Sequence, residues 1–416
     1  MNLELEPGDR AVLDGQRGEG AALAMRIVVK MAKVAEAPRL RDITQAHIDS
    51  CLYHGQAGLD FAERLLAGEA ALSVPATLNV SSLDLLHPEL VRLDDDTRDR
   101  AKRLMDAYVA IGCRPTWTCA PYQLPDRPTF GEHVAWAESN AIVFANSVLG
   151  ARTNRYGDFI DICAAITGRV PDHGLHTDEG RRATVRVRIE GVPNRLFDHD
   201  LVYPVLGHLL GRRVGNKVAA IEGLPPGLSE DRLKAIGAAA ASSGSVALFH
   251  AIGVTPEAPT WDAVAGLGDR EEVIALADLR AARDELSRVR VGAEIGAVSV
   301  GTPHASEAEL RRLAGLVAEE HPRVPFYVNT GRAQLAAIGA VADDLAEAGV
   351  TVVTDTCTYI TPVLRDIAAP VMTDSGKWAW YAPSNLGVEV ALGSLEECVR
   401  SSAAGVVVRD ETTWSA

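Results

Sequence analysis

The segment "GAVSVGTPHASEAELRRLAGLVAEEHPRVPFYVNTGRAQLAAIGAVADDLAEAGVTVVTDTC" (residues 296–357) alternates short apolar stretches with longer stretches of helix-forming residues. The short stretches AVSV, VPFYV and VTVV are typical of buried strands, and the stretches between them have the spacing of amphipathic helices. One helix is predicted over 333–349. Because strands that alternate with helices pair in parallel and are covered by those helices, the segment predicts a parallel α/β layer.

The same alternation extends outward from this segment in both directions. Further helices are predicted at 20–37, 96–112, 229–242 and 271–290. At 416 residues the chain exceeds the size at which one hydrophobic core usually keeps growing. We therefore expect a multidomain α/β protein, with parallel or mixed sheets covered by helices. Its expected regions are 1–182, 183–290 and 291–416.

Charge and hydropathy exclude two classes of partner. The formal net charge is −15, from 41 basic and 56 acidic side chains, whereas a nucleic-acid surface needs clustered Lys and Arg. No apolar run reaches the roughly 18 residues of a membrane helix, and the N-terminus has no apolar signal segment. We expect no nucleic-acid partner, no membrane association and a cytoplasmic location.

Six cysteines lie at 51, 113, 119, 163, 357 and 398, without a CxxC pair. This spacing excludes a zinc ribbon and a ferredoxin-like run, but it allows a site assembled from distant cysteines. Taken alone, a cysteine is more often a small buried hydrophobic residue than a ligand. Cys119 and Cys357 differ from the others because both are predicted in loops, with small neighbours that would let a bulky ligand approach.

Motifs for nucleotide and hydrolase chemistry are missing from the sequence. The "SGK" at 375–377 has Val371 where a GxxxxGK loop needs its first glycine, and "GLGDRE" has Glu271 where GxGxxG needs its last. There is no GxSxG and no HExxH. ATP and NAD chemistry are therefore not supported.

Four polar stretches follow predicted strands: "TLNVSS", "GTPH", "NTGR" and "DTC". Ligands of parallel α/β sheets bind at the carboxyl ends of the strands, so these stretches are candidates for the functional site. His304 of "GTPH" fits a site residue and a buried structural histidine equally well. His47, Asp49 and His54 allow a metal site, although a hydrogen-bonding role of His47 is the more common one.

Several longer blocks resemble the large, catalytic part of aconitase X. They are "ITQAHIDSCLYHGQAGLDFAERL", "VPATLNVSS", "TCAPYQLPDRPTFGEHVAWAESNAIVFANSVLGARTNR", "GTPHASEAEL", "VTDTC" and "MTDSGKWAWYAPSNLGVEVALGSLEECV". The resemblance covers essentially the whole chain in the family's order. It implies an aconitase-like architecture with the active site in a cleft between domains, and an iron–sulfur dehydratase activity.

The resemblance also implies site residues. The cluster ligands would be Cys119, Cys357 and Cys398. Many relatives carry a cysteine at the position of Thr302, so this chain would use Cys398, hold a smaller cluster or recruit another donor. Glu138 and Lys377 would be catalytic, with Lys377 acting as the base or as a second anion contact. The substrate-binding residues would be His54, Asn79, Ser81, Ser139, Asn140, Arg152, Thr153 and Ser375.

Among the family's activities, we expect dehydration of the small hydroxy acid cis-3-hydroxy-L-proline to Δ1-pyrroline-2-carboxylate. Arg152 offers one carboxylate clamp, and no evident cluster of Lys and Arg is available for a phosphate. Mevalonate 5-phosphate is the alternative substrate. A non-catalytic iron–sulfur or metal-binding protein, and a carbohydrate-acid isomerase without a cluster, are alternatives of other classes.

The resemblance further implies a partner. Aconitase-like enzymes complete their site with a small swivelling domain, and only 18 residues follow Cys398. We therefore expect a separate small subunit in a heterodimer, and weak or no activity from this chain alone.

Overall fold

The computed structural model describes residues 3–364 and 368–415. The chain forms two compact units. Unit 1 comprises Met1–Leu83 and Leu93–Arg182, and unit 2 comprises Asp84–Arg92 and Ala183–Ala416. The boundary at 290 that the sequence predicts within the second part stays a prediction.

Unit 1 contains short strands and helices of very different length. Its helices are α1 (Pro7–Leu13), α2 (Gly18–Val34), α3 (Gln56–Ala67), α4 (Asp95–Ile111), α5 (Ser139–Phe144) and α6 (Ile160–Thr167). Its strands are β1 (Leu40–Asp42), β2 (Ala46–Ile48), β3 (Ala76–Leu78), β4 (Ala135–Trp136) and β5 (Arg169–Pro171). Local signals set the helix ends: Asp94 caps α4 by accepting from Thr97 N at 2.9 Å, and Gly112 ends it with a φ of 116°.

The main sheet of unit 1 has three parallel strands in the order β3–β2–β4. Ile48 of β2 lies opposite Leu78 of β3, and His47 lies opposite Trp136 of β4. All three strands are buried, and α6 packs against β2 and β4. A second, antiparallel sheet joins β1 to β5.

Unit 2 alternates strands and helices along most of its length. Its strands are β6 (Ala183–Ile189), β7 (Ala219–Glu222), β8 (Phe249–Ala251), β9 (Ala265–Ile274), β10 (Ala297–Ala305), β11 (Phe326–Thr330), β12 (Val350–Val353), β13 (Val371–Thr373) and β14 (Val390–Leu392). Its helices are α7 (Val202–Val214), α8 (Glu230–Gly244), α9 (Trp261–Val264), α10 (Leu276–Leu286), α11 (Glu307–Glu319), α12 (Arg332–Ile338), α13 (Val341–Glu347), α14 (Gly376–Leu386) and α15 (Leu395–Ala404).

The strands of unit 2 form two parallel sheets. One has the order β8–β7–β6–β9, and the other has the order β12–β11–β10–β13–β14. This confirms the predicted α/β class with parallel sheets covered by helices. Among the described residues, no helix combines the length and the apolar character needed to cross a bilayer.

Two predicted helices differ from the structure. The helix predicted over 333–349 is two helices, α12 and α13, because Gly339 adopts a φ of 55° that interrupts the helical backbone. The helix predicted over 271–290 begins only at Leu276, because residues 271–274 complete β9 beside β6. Pairing with a neighbouring strand overrides local helix preference there.

Glycines allow α7 and α8 to approach closely. A methyl group on Gly207 would lie 2.2 Å from the carbonyl oxygen of Ile236, and one on Gly244 would lie 1.9 Å from that of Gly211. Gly207 and Gly211 are four residues apart and therefore lie on one face of α7. The two backbones touch along this face, so a larger side chain has no space.

We predict that Gly207→Ala destabilises unit 2 by about 1–3 kcal/mol, because the added methyl group overpacks the α7–α8 contact. Gly315→Ala on α11 is the matched control, since a methyl group there meets no atom within 4 Å. The control should be neutral or stabilising by up to about 1 kcal/mol. Urea unfolding of both variants tests this, and equal stability of the two variants would refute the close-packing account.

Candidate active site

Three polar residues follow the three parallel strands of unit 1. Asp49 directly follows β2, Asn79 directly follows β3, and Glu138 follows β4 after Ala137. The pairing continues past the strands, since Asn79 N donates to Ile48 O at 2.9 Å and Ala137 N donates to His47 O at 3.2 Å. Since β2 is the central strand, Asp49 lies at the middle of this edge.

Asp49 and Asn79 are in direct contact. The Asn79 amide nitrogen Nδ2 donates a hydrogen bond to Asp49 Oδ1. Asn79 is only 2% exposed, and its side chain also interacts with the buried ring of His47. Asp49 itself keeps some accessible surface. The pair therefore joins a buried amide to a partly accessible carboxylate.

Burial raises the pKa of Asp49 to about 7, and the negative charges of Glu138 and Asp158 add to the shift. The hydrogen bond from Asn79 opposes it only in part. Burial likewise raises the pKa of Asp161 to about 6, although this carboxylate accepts from the backbone nitrogen of Ser50 at 3.0 Å. The edge thus holds carboxyl groups whose protonation changes near neutral pH.

Glu138 is the N-cap of α5. Its carboxylate accepts hydrogen bonds from Ala141 N at 2.8 Å, Ser139 Oγ at 3.2 Å and Asn140 Nδ2. Ser139 and Asn140, predicted as substrate-binding residues, are thus partners of Glu138. Much of the acceptor capacity of Glu138 is used within the helix terminus.

Asn140 also joins this terminus to the loop of Cys119. Its Nδ2 donates to the carbonyl oxygen of Cys119 at 2.9 Å, and its Oδ1 accepts from the Tyr122 hydroxyl at 2.6 Å. Cys119 is 2% exposed. Position and orientation of the Cys119 loop are therefore coupled to Glu138 through one buried amide.

Past α5, the chain continues as a π-helix over Ala145–Leu149 and turns at Gly150. Asn146 then fixes Thr153, donating to Thr153 O at 2.8 Å and accepting from Thr153 N at 3.0 Å. Arg152 is engaged as well: one nitrogen forms an ion pair with Asp178 at 2.5 Å, and another donates to the carbonyl oxygen of His176 at 3.2 Å. Substrate binding by Arg152 and Thr153 stays a prediction.

The remaining predicted residues of unit 1 have different surroundings. His54 is exposed and lies near enough to Asp158 to oppose the rise that burial causes in the pKa of Asp158. Ser81 is fully buried and donates to Leu83 O at 2.8 Å. His47 is also buried, and its Nδ1 lies 2.7 Å from Thr77 Oγ1. Loss of solvation lowers the pKa of His47 to about 3, which keeps this ring neutral.

In unit 2, His304 lies within β10 rather than after it, and Cys357 lies in the loop that follows β12. A ring nitrogen of His304 and the sulfur of Cys357 lie within 4.8 Å of each other. His304 Nε2 is 3.2 Å from the carbonyl oxygen of Thr356, so this nitrogen carries the proton in such a hydrogen bond. Both residues are buried, at 0% and 1% exposure. A thiol and an imidazole are suitable donors for iron.

A polar network holds the chain on both sides of Cys357. Thr358 Oγ1 lies 2.7 Å from Ser299 Oγ and accepts from Trp378 Nε1 at 3.1 Å. The Asn329 amide donates to Thr358 Oγ1 at 3.1 Å and accepts from Thr358 N at 3.1 Å. These groups are fully buried and mutually satisfied, which favours one conformation of the loop.

Two carboxylates hold the start of the same loop. Asp84 accepts from Thr354 N at 2.9 Å, and Asp355 forms two hydrogen bonds of 2.6 Å with Arg332. Sequence reasoning missed Asp84, Asp355 and Thr358 as supports of Cys357. It considered Asp49 only as part of a possible metal site with His47 and His54, although the position directly after a strand was a usable signal.

Ser375 and Lys377 lie at the start of α14. Ser375 is the N-cap, since its Oγ accepts from Trp378 N at 3.0 Å, and it also donates to the carbonyl oxygen of Thr302. Lys377 is 3% exposed, with its Nζ 5.8 Å from the centre of the Tyr359 ring.

Cys398 has the surroundings of a core residue. It is 0% exposed and belongs to an apolar cluster with Val298, Leu313 and Met372. Burial raises the pKa of its thiol well above the ordinary value. Its role as a cluster ligand stays a prediction, and nothing in these surroundings favours a thiolate.

Family models match nearly the whole chain. The models described as aconitase X first, second and third domain match residues 2–179, 183–284 and 295–404. The crystal structure of Thermococcus kodakaraensis aconitase X in its holo-form matches with a TM-score of 0.85 at 31% identity, over 96% of this chain and 100% of that one. This confirms the expected aconitase-like fold.

Curated relatives carry two names. The cis-3-hydroxy-L-proline dehydratase of Hypocrea jecorina is 41% identical, over 97% of this chain and 69% of that protein. The protein of the same name from Pseudomonas aeruginosa is 43% identical, over 96% and 70%. The phosphomevalonate dehydratase large subunit of Methanothermobacter thermautotrophicus is 36% identical, over 95% and 98%.

We predict that Asp49→Asn reduces the pH dependence of stability. Between pH 3.8 and about 7, folded Asp49 keeps a proton that the unfolded chain releases, so its contribution to the free energy of unfolding falls as pH rises. The variant lacks this contribution, whose slope is at most about 1.4 kcal/mol per pH unit. Urea unfolding at several pH values between 4 and 7 measures it.

Asp106→Asn on α4 is the control for the loss of one carboxylate, because Asp106 is exposed and pairs with Lys102 on the surface. Unchanged pH dependence in Asp49→Asn, relative to the wild type, would contradict the raised pKa.

Proposed function

Because this chain belongs to the aconitase X family, we propose that it is the large subunit of a hydro-lyase that dehydrates cis-3-hydroxy-L-proline to Δ1-pyrroline-2-carboxylate. The observation that carries the choice of substrate is the identity of 41% and 43% to two cis-3-hydroxy-L-proline dehydratases. The relatives named for phosphomevalonate are 36% identical or less.

Dehydration removes a proton next to the substrate carboxylate and a hydroxyl from the neighbouring carbon. The enzyme must therefore bind the carboxylate, accept one proton and stabilise the departing oxygen. Glu138 and Lys377 are proposed as the catalytic residues. The proposed substrate-binding residues are His54, Asn79, Ser81, Ser139, Asn140, Arg152, Thr153 and Ser375. The position of Asn79 and Glu138 at one strand edge of unit 1 supports their part of this proposal.

Lys377 would act as the base or as a second anion contact. Its Nζ lies 5.8 Å from the centre of the Tyr359 ring. Glu138, whose carboxylate already accepts three hydrogen bonds, would hold Asn140 and the helix terminus in place or relay a proton.

The donor set fits an iron–sulfur cluster. Cys357 has a histidine nitrogen within 4.8 Å in unit 2, and Cys119 is a buried loop cysteine of unit 1. We propose Cys119 and Cys357 as thiolate ligands and keep Cys398 as the third candidate, with His304 as the alternative donor. Such a cluster, when bound, supplies a Lewis acid for the departing hydroxyl.

A small subunit of the swivelling-domain type is the proposed partner. The relatives named phosphomevalonate dehydratase large subunit match this chain over 97–100% of their own length, and the name implies a smaller companion. The cis-3-hydroxy-L-proline dehydratases are longer, since the match covers about 70% of them.

A phosphomevalonate dehydratase large subunit is the second candidate, favoured by the match over 98% of such a subunit. We also propose a cytoplasmic location, which agrees with six cysteines that form no disulfide in the structure.

We predict that co-expression with a small subunit, followed by anaerobic purification, yields a coloured complex that contains iron and sulfide. It should dehydrate cis-3-hydroxy-L-proline and not mevalonate 5-phosphate. Cys119→Ser and Cys357→Ser should lower iron content and activity by at least about 10-fold, because each removes a ligand. Metal analysis, absorbance and electron spin resonance spectra, and assays on both substrates measure these effects.

Cys163→Ala is the matched control, because Cys163 is a buried cysteine of α6 that is not a proposed ligand. It should keep its iron. A colourless wild-type complex would refute the cluster, preference for mevalonate 5-phosphate would support the second candidate, and full activity of the isolated chain would refute the partner.

A further inference from the structure

Unit 2 contains a cavity of about 400 Å³ at the carboxyl ends of its five-stranded sheet. Asp374, which lines the cavity, directly follows β13, and Ser394 follows β14. Glu309 lies in the first turn of α11, after β10, while α7 and α8 contribute Pro204 and Ala235. The volume is within the range of about 300–1,000 Å³ that is typical of small-molecule sites.

The strand order of this sheet reverses at the cavity. In the order β12–β11–β10–β13–β14, the chain passes from β10 to β11 and β12 on one side and then crosses to β13 and β14 on the other. The reversal lies between β10 and β13, the strands that Glu309 and Asp374 follow. Ligands of open parallel sheets bind at the carboxyl ends of the strands at such a reversal. The position of the cavity therefore favours a ligand.

Three of the four carboxylates that line the cavity have basic partners. Asp200 pairs with Arg232 at 2.9 Å. Asp231 and Glu309 share the buried ammonium of Lys234, at 2.9 and 2.5 Å. The charges of these three acids are thus compensated within unit 2.

Asp374 is the fourth carboxylate, and it differs from the other three. Among the described residues, no Lys, Arg or His forms an ion pair with it, although it accepts a hydrogen bond from the backbone of Gly301. Burial raises the pKa of Asp374 to about 7, and the charge of Glu309 adds to the shift while that of Lys234 opposes it. A cation in the cavity would favour the ionised carboxylate.

An anion is a poor occupant, because the groups that would bind it are already engaged. Arg312, which also lines the cavity, forms ion pairs with Asp200 and Glu396. Helices α8 and α15 begin at the cavity, but Ser229 and Ser394 cap them by accepting hydrogen bonds from their backbone nitrogens. The uncompensated carboxylate of Asp374 therefore decides the charge of the occupant.

The rest of the cavity wall is apolar or small. It consists of Leu201, Pro204, Ala235, Ala308 and Leu395. Such a wall suits the hydrocarbon part of a ligand, because burying apolar surface is favourable. A hydrated metal ion would leave the wall uncovered, and hard metal ions need several oxygen ligands. The wall and the carboxylate together indicate a molecule with one cationic group and an apolar body.

We propose that this cavity binds a small organic cation, a protonated amine with an apolar body, whose ammonium group pairs with Asp374. A smaller void of about 50 Å³ shares Asp374 and Glu309 with the cavity, and Ser375 and Lys377 also line that void. The ammonium group thus lies beside the turn that carries the proposed catalytic Lys377. Its source is either the ring ammonium of the proposed substrate or a separate amine that regulates the enzyme. Only the first source rests on the proposed function.

Two probes of similar size that differ in charge test the proposal. Benzylammonium carries the cation, and benzyl alcohol is its neutral counterpart. NMR titration of the full-length chain at about pH 8, where Asp374 is ionised, measures both affinities. The wild type should bind benzylammonium at least about 10-fold more tightly, since hydrogen bonds to charged groups are among the stronger ones.

Two variants locate the site. In Asp374→Asn the ratio of the two affinities should fall close to one, while the affinity for benzyl alcohol is kept. Ala235→Leu on α8 should weaken both probes at least about 10-fold, because the larger side chain occupies the cavity. Asp106→Asn, the surface control, should keep the wild-type affinities.

A wild-type ratio near one, an unchanged ratio in Asp374→Asn or the absence of saturable benzylammonium binding would overturn the proposal. If Asp374→Asn does not fold, unchanged benzylammonium affinity in Ala235→Leu would also overturn it.

Kinetics of the co-expressed complex distinguish the two sources. If benzylammonium raises the KM for cis-3-hydroxy-L-proline without changing kcat, the cavity takes the substrate's own ammonium group. If benzylammonium binds and leaves KM unchanged, the site serves a separate amine. A complex that does not dehydrate cis-3-hydroxy-L-proline would refute the proposed function alone, because the NMR titration does not depend on turnover.

Discussion

Parallel pairing of β2 with β3 on one side and β4 on the other is the constraint on which the site of unit 1 depends. Because the three strands run in the same direction, the residues that follow them meet at one edge. Asp49, Asn79 and Glu138 are 30 or more positions apart in sequence, and only this pairing makes them neighbours. A change of register by one residue would turn each of them to the other face of the sheet.

In unit 2, a buried hydrogen-bond network fixes the loop that carries Cys357. A buried network that includes Thr358 and Asn329 satisfies its polar groups internally, and Asp84 fixes the start of the loop. Removing one member of such a network leaves its partners unsatisfied and costs more than the bond itself contributes. Rigidity of this kind is useful where a thiolate must keep a fixed position.

Much of the fold could be predicted from local sequence signals. Helix caps such as Asp94 and stops such as Gly112 act over a few residues, so the bounds of α4 differ from the predicted helix by one residue at each end. The prediction was wrong where pairing with distant residues determines the secondary structure. Residues 271–274, for example, pair with β6 instead of joining a helix. For the candidate site, the sequence indicated polar residues near strand ends but could not separate helix caps such as Glu138 and Ser375 from groups able to receive a ligand.

The sequence by itself determined the order of strands and helices, the parallel sheet type, the family and the kinds of side chain at the strand ends. Tertiary structure alone decided what those side chains do. Arg152 pairs with Asp178, Cys398 packs in an apolar core, and Asp49 accepts from the buried amide of Asn79. The physical reason is that hydrogen-bond partners and burial come from residues far apart in the chain, and they determine whether a polar group is occupied or available.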